Sequence, residues 1–259
     1  MIKLGNDNIG SVLLGDTSID KVYKGEDVVF EKISDYVILI TSKDWVKIDD
    51  KRVNVTPNQP TKVKLPTLRY PFQCYNFEDN YVNRSITSLD FYVDFTKHTS
   101  VANLCFQTNA TELRFNNADT SKIEIFNGMF HNLPIEEIDV SFIDTTSATS
   151  FGVRSDGVNV GMFAACTKLK TIDISNFHTP NLTSICGMFD GCYALEYIDM
   201  SNLDVSKVTN FNSFLAYCDN LKHIKCKKAL KDLCIANPGR NKIGLLSNQL
   251  DGIEWELVD

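Results

Sequence analysis

Carboxylates are the side chains of this sequence whose spacing could support chemistry. Glu136 and Glu137 stand just before Asp139, and Asp173 and Asp199 recur further along the chain. Paired carboxylates can serve as general acid and base. If Asp139, Asp173 and Asp199 stack about 5 Å apart on successive repeats, their mutual repulsion would favour a cation or a basic partner. We favour the simpler interpretation, a solvated strand face, and the sequence predicts that the protein is not an enzyme.

Other sequence patterns of catalysis and metal binding are missing. The sequence contains no Gly-x-Ser-x-Gly, P-loop, His-Glu-x-x-His or Gly-x-Gly-x-x-Gly pattern. Its eight cysteines include no Cys-x-x-Cys pair, and its four histidines are not at ligand spacing from them. We therefore expect no cofactor and no metal. Cys166, Cys192 and Cys218, which are 26 residues apart, should form a column in the interior.

Charge and hydropathy restrict the class of partner. The net charge is -7 and no basic run occurs, which argues against binding to nucleic acid. No apolar stretch reaches the roughly 18 residues that a membrane-spanning helix needs. The first residues also lack the pattern of a signal peptide. If Met1 is the native start, synthesis without export by that route is expected.

A repeat of 26 residues organises the second half of the chain. Residues 161–177 recur as residues 187–203, and a third, weaker copy begins at Phe214. With Asp173 and Asp199 as reference, the equivalent positions are Arg114, Asp139 and Lys225, at steps of 25, 34, 26 and 26. The step of 34 predicts an insertion between residues 144 and 160. About five repeats follow, enough to bury a continuous core.

Such a period predicts an α/β solenoid, in which each unit buries its apolar face against its neighbours. Ile172 and Ile174 should point inward, and the Gly-Met-Phe-x-x-Cys segment should form a short α- or 3₁₀-helix on the opposite flank. Arg114 and Lys225 should flank the column of aspartates. The candidate binding residues on the exposed strand face are Asp139, Thr171, Asp173, Ser175, Asp199 and Ser201.

Four regions are predicted along the chain. Residues 1–33 should form a β-meander used for attachment, because Gly5, Gly15 and Gly25 mark turns every ten residues. Residues 34–85 should form an antiparallel β unit or cap, with strands at 36–41, 45–48, 52–55 and 61–65. Residues 86–226 carry the repeats. Residues 227–259 should form a C-terminal cap with a helix over 227–236 and a strand over 253–258.

The repeat resembles the BspA-like leucine-rich repeats of bacterial surface proteins. The resemblance covers residues 86–226, and its best copy runs from Gly187 to Thr209. It implies a right-handed leucine-rich-repeat solenoid. It also implies adhesion to host proteins or to other cells, because the described family members are largely cell-surface proteins.

The N-terminal region is similar to segments of structural proteins from phages and prophages of gut bacteria. The similarity lies in residues 9–25, where Gly15 and Gly25 each precede an acidic residue. It implies a virion-associated fibre, tail or head-decoration protein that contacts virion components through residues 1–33 and a host-surface protein through the repeats. The alternative is a secreted BspA-like adhesin on the bacterial surface. Homo-oligomerisation stays open in both cases.

Overall fold

The structure, a computed structural model, describes residues 12–14, 17–19, 21–24, 27–31, 36–48, 51–64, 84–116, 118–155, 157–239 and 242–259. Near the N-terminus, β1 (Val12–Leu14) pairs antiparallel with β2 (Thr17–Ile19). Similarly, β3 (Lys21–Lys24) pairs with β4 (Asp27–Glu31). The region predicted as a meander therefore contains two separate hairpins in its described part. The turn glycines Gly5, Gly15 and Gly25 lie outside the described residues.

A four-stranded sheet follows, with the order β10-β9-β5-β8. Its strands are β5 (Tyr36–Thr41), β8 (Thr61–Lys64), β9 (Ile86–Tyr92) and β10 (Glu112–Phe115). Between β5 and β8, β6 (Trp45–Ile48) and β7 (Lys51–Asn54) form their own hairpin. The predicted strand positions are confirmed to within a residue or so. Their pairing differs from the predicted four-stranded unit, because β5 lies between β8 and β9.

The predicted insertion at residues 144–160 contains a hairpin made of β11 (Gly152–Ser155) and β12 (Val158–Gly161). A second four-stranded sheet then contains β13 (Thr171–Asp173), β14 (Tyr197–Met200), β15 (His223–Lys227) and β16 (Glu254–Val258), all parallel. In β13 to β15 the inward residues are Ile172, Ile198 and Ile224, each at most 3% exposed. Burial of one face by alternating side chains explains why these segments form strands.

Interior columns connect equivalent positions of neighbouring repeats. The rings of Phe163 and Phe189 stack with centroids 5.5 Å apart. Cys166, Cys192 and Cys218 are buried as predicted, and each Sγ lies 3.1 to 3.2 Å from a phenylalanine carbonyl oxygen of the preceding repeat. A further line of isolated parallel bridges joins Ser100, Ile125, Ser150, Ser184 and Asn210.

The predicted fold class, a right-handed α/β leucine-rich-repeat solenoid, is wrong. The described residues form mainly β-sheets, in several separate units. Their α-helices are α1 (Lys228–Ala236) and α2 (Ser247–Asp251), both after the repeats, and a 3₁₀ turn covers Phe95–Lys97. The helix predicted for 227–236 and the final strand are confirmed, but the Gly-Met-Phe-x-x-Cys segments form turns.

Two backbone features prevent helices within the repeats. First, left-handed residues interrupt each segment, and a right-handed helix cannot continue through them. These positive-φ residues include Asn103, Gln107, Gly128, Asn132, Ala165, Gly187, Gly191, Ser213 and Tyr217. Second, the N–H groups bond to the next repeat: Phe163 donates to the carbonyl of Met188 at 3.0 Å, and Phe189 donates to that of Phe214 at 3.0 Å. These donors are therefore not available for i to i−4 bonds.

Candidate binding surfaces

The outer face of the parallel sheet aligns two of the three predicted aspartates, Asp173 and Asp199, but not Asp139. In register, Asp173 lies beside Asp199, and Asp199 lies beside Lys225. One position earlier on this face, Thr171 pairs with Tyr197 and Tyr197 with His223. The rings of Tyr197 and His223 meet edge to face at 5.0 Å. The strands thus hold polar, charged and aromatic side chains in fixed rows.

The predicted aspartates and serines form local turns. Oδ1 of Asp173 accepts the backbone N–H of Ser175 at 2.8 Å, and Oδ1 of Asp199 accepts that of Ser201 at 3.0 Å. Asp139 accepts the N–H of Ser141 at 2.9 Å. Each aspartate therefore closes the turn that follows it in the chain.

The pKa of Asp139 is lowered because Ser141 hydrogen-bonds to the ionised carboxylate. Among the predicted residues, Asp173 and Thr171 are exposed, whereas only 9% of Asp199 is accessible. A buried carboxylate that closes a turn serves the fold, and this favours a structural role for Asp199.

Lys225 lies at the C-terminal end of the aspartate column, as predicted. Its Nζ lies 3.1 Å from Glu256 Oε1 and 3.8 Å from Asp199 Oδ2. These two carboxylates, chiefly Glu256, raise the pKa of Lys225. Arg114, which was predicted to flank the other end, lies instead in the first four-stranded sheet, where it pairs in register with Asp90, and its guanidinium lies 3.9 Å from Glu112. The column therefore has a charge-compensated end at Lys225.

Charged side chains of alternating sign also form a row just before the strands of successive repeats. Lys170 Nζ lies 2.6 Å from Glu136 Oε2, and Lys222 Nζ lies 2.9 Å from Glu196 Oε2. The pKa values of both glutamates are lowered by the hydrogen bonds from these lysines. Since the pairs are exposed to solvent, each contributes little to the stability of the fold. Glu136 is thus engaged in an ion pair.

A cleft of about 520 Å³ lies between β10 and residues 135–142. This volume is within the range of about 300–1,000 Å³ that is typical of ligand sites. Its floor includes Phe115 and Phe142, whose rings stack at 4.7 Å. The lining residues are Thr111, Leu113, Arg114, Phe115, Asn116, Ile135, Glu137, Ile138, Asp139 and Phe142.

The structure distributes the six predicted residues over two surfaces. Thr171, Asp173, Ser175, Asp199 and Ser201 lie on or just after the parallel strands, whereas Asp139 lines the cleft. Tyr197 and His223 were not among the predicted residues, although both occupy the position of Thr171 in later repeats. The cleft was not predicted either, because the repeat pattern carries no signal for it.

Two structural features bear on ligand class. Across the described parts of the chain, no three histidine, cysteine, aspartate or glutamate side chains are grouped so that they could hold a metal ion. No α-helix in those same parts is long and apolar enough to cross a membrane.

These features define a mostly β protein whose repeats pair in parallel and which has two candidate binding surfaces, the outer sheet face and the cleft. Residues 99–227, just under half of the chain, match the family model described as "Mycoplasma protein of unknown function, DUF285". This segment contains β10 to β15 and the cleft. Comparison with curated proteins and with solved structures found no significant match.

Proposed function

We propose that this protein is a non-enzymatic, virion-associated component of a phage or prophage. In this proposal, residues 1–33 attach it to the particle, and the repeats present a surface to a protein on the host cell. Support for the attachment comes from the similarity of residues 9–25 to phage structural proteins. Support for the binding role comes from the outer face of the parallel sheet.

One observation carries the binding proposal: the outer face keeps its rows in register over four strands. Thr171, Tyr197, His223 and Glu254 form one row, and Asp173, Asp199, Lys225 and Glu256 form the next. Backbone pairing holds both rows, so little conformational entropy would be lost when a partner binds. Mixed charges and aromatic side chains suit recognition of a protein surface.

The second candidate is a BspA-like adhesin on the bacterial surface. The residues that favour it are those of the repeat, best preserved from Gly187 to Thr209. The two candidates share the binding face and differ in where the protein is mounted. Location is therefore the property that separates them.

Co-sedimentation with purified particles tests the mounting. The full chain and a variant without residues 1–33 would be compared in particles from a lysogen that carries the gene. We expect the full chain to sediment with particles and the truncated chain to stay in the supernatant. Equal sedimentation of both chains would overturn attachment through residues 1–33. Loss of the full chain from intact bacteria after surface proteolysis would instead support the adhesin.

Substitution on the sheet face tests the binding surface. Thr171→Arg places a bulky cation among the rows at an exposed position, and Thr167→Arg is the matched control on an exposed turn. Labelled full-chain protein would be titrated onto intact host cells. We expect Thr171→Arg to weaken binding by about tenfold, and the control to bind like the wild type. Equal binding by both variants would argue against this face.

A further inference from the structure

A row of backbone hydrogen bonds joins the residues just before successive strands, and in the described residues it is interrupted at one place. Glu254 donates its N–H to the carbonyl of Lys222 at 2.7 Å, and Lys222 donates to Glu196 at 3.0 Å. The row continues through Lys170 to Glu136, at 2.8 and 2.9 Å. Further towards the N-terminus, Thr111 donates to Thr87 at 3.1 Å. Within the described residues, no backbone bond joins Glu136 to Thr111.

The opening is local, because neighbouring contacts between the same two repeats are intact. On one side, Ser100 bridges to Ile125, and Cys105 donates its N–H to the carbonyl of Met129 at 2.8 Å. On the other side, Thr120 Oγ1 accepts the N–H of Asp144 at 2.7 Å. The two repeats are therefore held together on both flanks, and only the strand face is open.

Beside the opening, β10 is the edge strand of its sheet. An edge strand presents unpaired N–H and C=O groups to whatever lies next to it. Residues 136–139, across the cleft, form no strand in the described structure. The cleft thus has the backbone chemistry of a site that accepts an added strand.

The cleft has an apolar floor and acidic residues at its rim. Leu113, Phe115, Ile138 and Phe142 are only partly buried, so apolar surface remains accessible in the opening. At the rim, Glu137 and Asp139 carry negative charge. The positive charge of Arg114 lies beside Glu112, at 3.9 Å. The rim therefore favours a cationic group on the ligand.

We propose that this cleft binds an extended segment of a partner protein, which adds as a strand to the edge of β10. Alternate apolar side chains of the segment pack on Leu113, Phe115 and Phe142, and a lysine or arginine lies near Glu137 and Asp139. This proposal rests on the proposed protein-binding function and adds the chemistry of the partner: an extended, basic, alternately apolar peptide.

A random dodecapeptide display library tests the proposal with the full-length protein as target. We expect enriched peptides to alternate apolar and polar residues and to carry at least one lysine or arginine. The best peptide would then be labelled and titrated by fluorescence anisotropy. Failure to enrich any peptide, or enrichment of acidic sequences, would overturn the proposal.

Two controls decide the site and the binding mode. Glu137→Lys reverses the charge of an exposed rim residue, and Glu124→Lys makes the same change at an exposed position outside the cleft lining. We expect Glu137→Lys to weaken peptide binding by about tenfold and Glu124→Lys to leave it nearly unchanged. Methylation of alternate backbone nitrogens in the peptide should also abolish binding, because it removes strand hydrogen bonds. Equal binding by both variants, or by the methylated peptide, would contradict strand addition in the cleft.

The outcomes separate this proposal from the proposed function. Peptide titration needs neither particles nor cells, whereas sedimentation and cell binding need no peptide. Wild-type protein that binds host cells through Thr171 but selects no peptide would refute strand addition and leave the proposed function standing. Peptide binding without particle association or cell binding would refute the proposed function and leave strand addition standing.

Discussion

Phe163 and Phe189 occupy the same position in successive repeats, and their rings stack with centroids 5.5 Å apart and planes 6° apart. Phe130 continues the column on one side at 5.5 Å. On the other side, Phe214 lies 5.8 Å from Phe189. Because every ring is fully buried, the column transmits packing from repeat to repeat.

Truncation within this column should destabilise the protein strongly. We expect Phe189→Ala to lower the free energy of unfolding by about 3–5 kcal/mol, since it removes buried apolar surface and leaves a cavity. Tyr193→Ala, at a side chain that is 49% exposed, should change it by less than about 1 kcal/mol. Urea denaturation followed by circular dichroism measures both. Similar losses in the two variants would show that the column is not a principal source of stability.

The buried cysteines should resist thiol reagents. Burial raises the pKa of Cys166 to about 12, and it raises that of Cys192 well above its usual value. The thiolate is the reactive form, and it is scarce under these conditions. We expect alkylation at mildly alkaline pH to label these two residues only after denaturation, as measured by peptide mass spectrometry. Rapid labelling of Cys192 in the folded protein would contradict this.

The aspartates of the strand face should contribute through turn closure. Asp199→Ala removes the oxygen that accepts the Ser201 N–H, so we expect a loss of about 1 kcal/mol in the free energy of unfolding. Asp199→Asn retains an acceptor oxygen and should lose less. Chemical denaturation of the two variants measures the difference. An equal loss would mean that the charge near Lys225, and not turn closure, determines the contribution.

How far the sequence predicts this structure depends on the kind of feature. The period of 26 correctly places Asp173 beside Asp199, because residues with the same neighbours adopt the same register. The step of 34 residues between Asp139 and Asp173 correctly locates the β11–β12 hairpin. The period does not reveal where the backbone adopts positive φ angles. Asn103, Ala165 and Tyr217 have such angles although none of them is a glycine, so the sequence does not mark these positions. The pattern alone therefore predicts a helix where the structure has turns.

The candidate sites were predictable to a smaller extent. Strand alternation identifies Thr171 and Asp173 as outward, and the structure agrees. The cleft lies where no backbone hydrogen bond joins the described residues Thr111 and Glu136, although both segments have ordinary repeat sequences. Whether two neighbouring repeats pair along their strands at this point depends on tertiary geometry, which the repeat pattern does not encode.

His131 should make stability depend on pH. Its side chain stacks on Phe106 at 4.4 Å, and burial lowers its pKa from 6.5 to about 4. Its Nδ1 is buried without a hydrogen-bond partner among the described residues. Between these pKa values the unfolded chain binds more protons than the folded protein, so stability falls as pH decreases from 6.5 to about 4. The full shift corresponds to about 3 kcal/mol.

The variant His131→Phe keeps an aromatic ring beside Phe106 and removes the titrating group. We expect its stability to decline less than that of the wild type over this pH interval, with the largest difference near pH 4. Urea midpoints measured at several pH values give the comparison, and carboxylates that titrate in both proteins cancel in the difference. Parallel pH profiles would show that His131 does not titrate as its burial implies.

Gly161 should be required because of a close backbone approach between repeats. A Cβ at this position would overlap with the carbonyl oxygen of Gly187 in the next repeat. Since backbone cannot yield as a flexible side chain does, we expect Gly161→Ala to cost at least about 1–3 kcal/mol. Gly252→Ala is the matched control, because its nearest neighbour, the Gln249 carbonyl oxygen, would lie at an ordinary 3.5 Å. Thermal denaturation of both variants measures the cost, and equal stability would mean that the two repeats can separate at this point without loss.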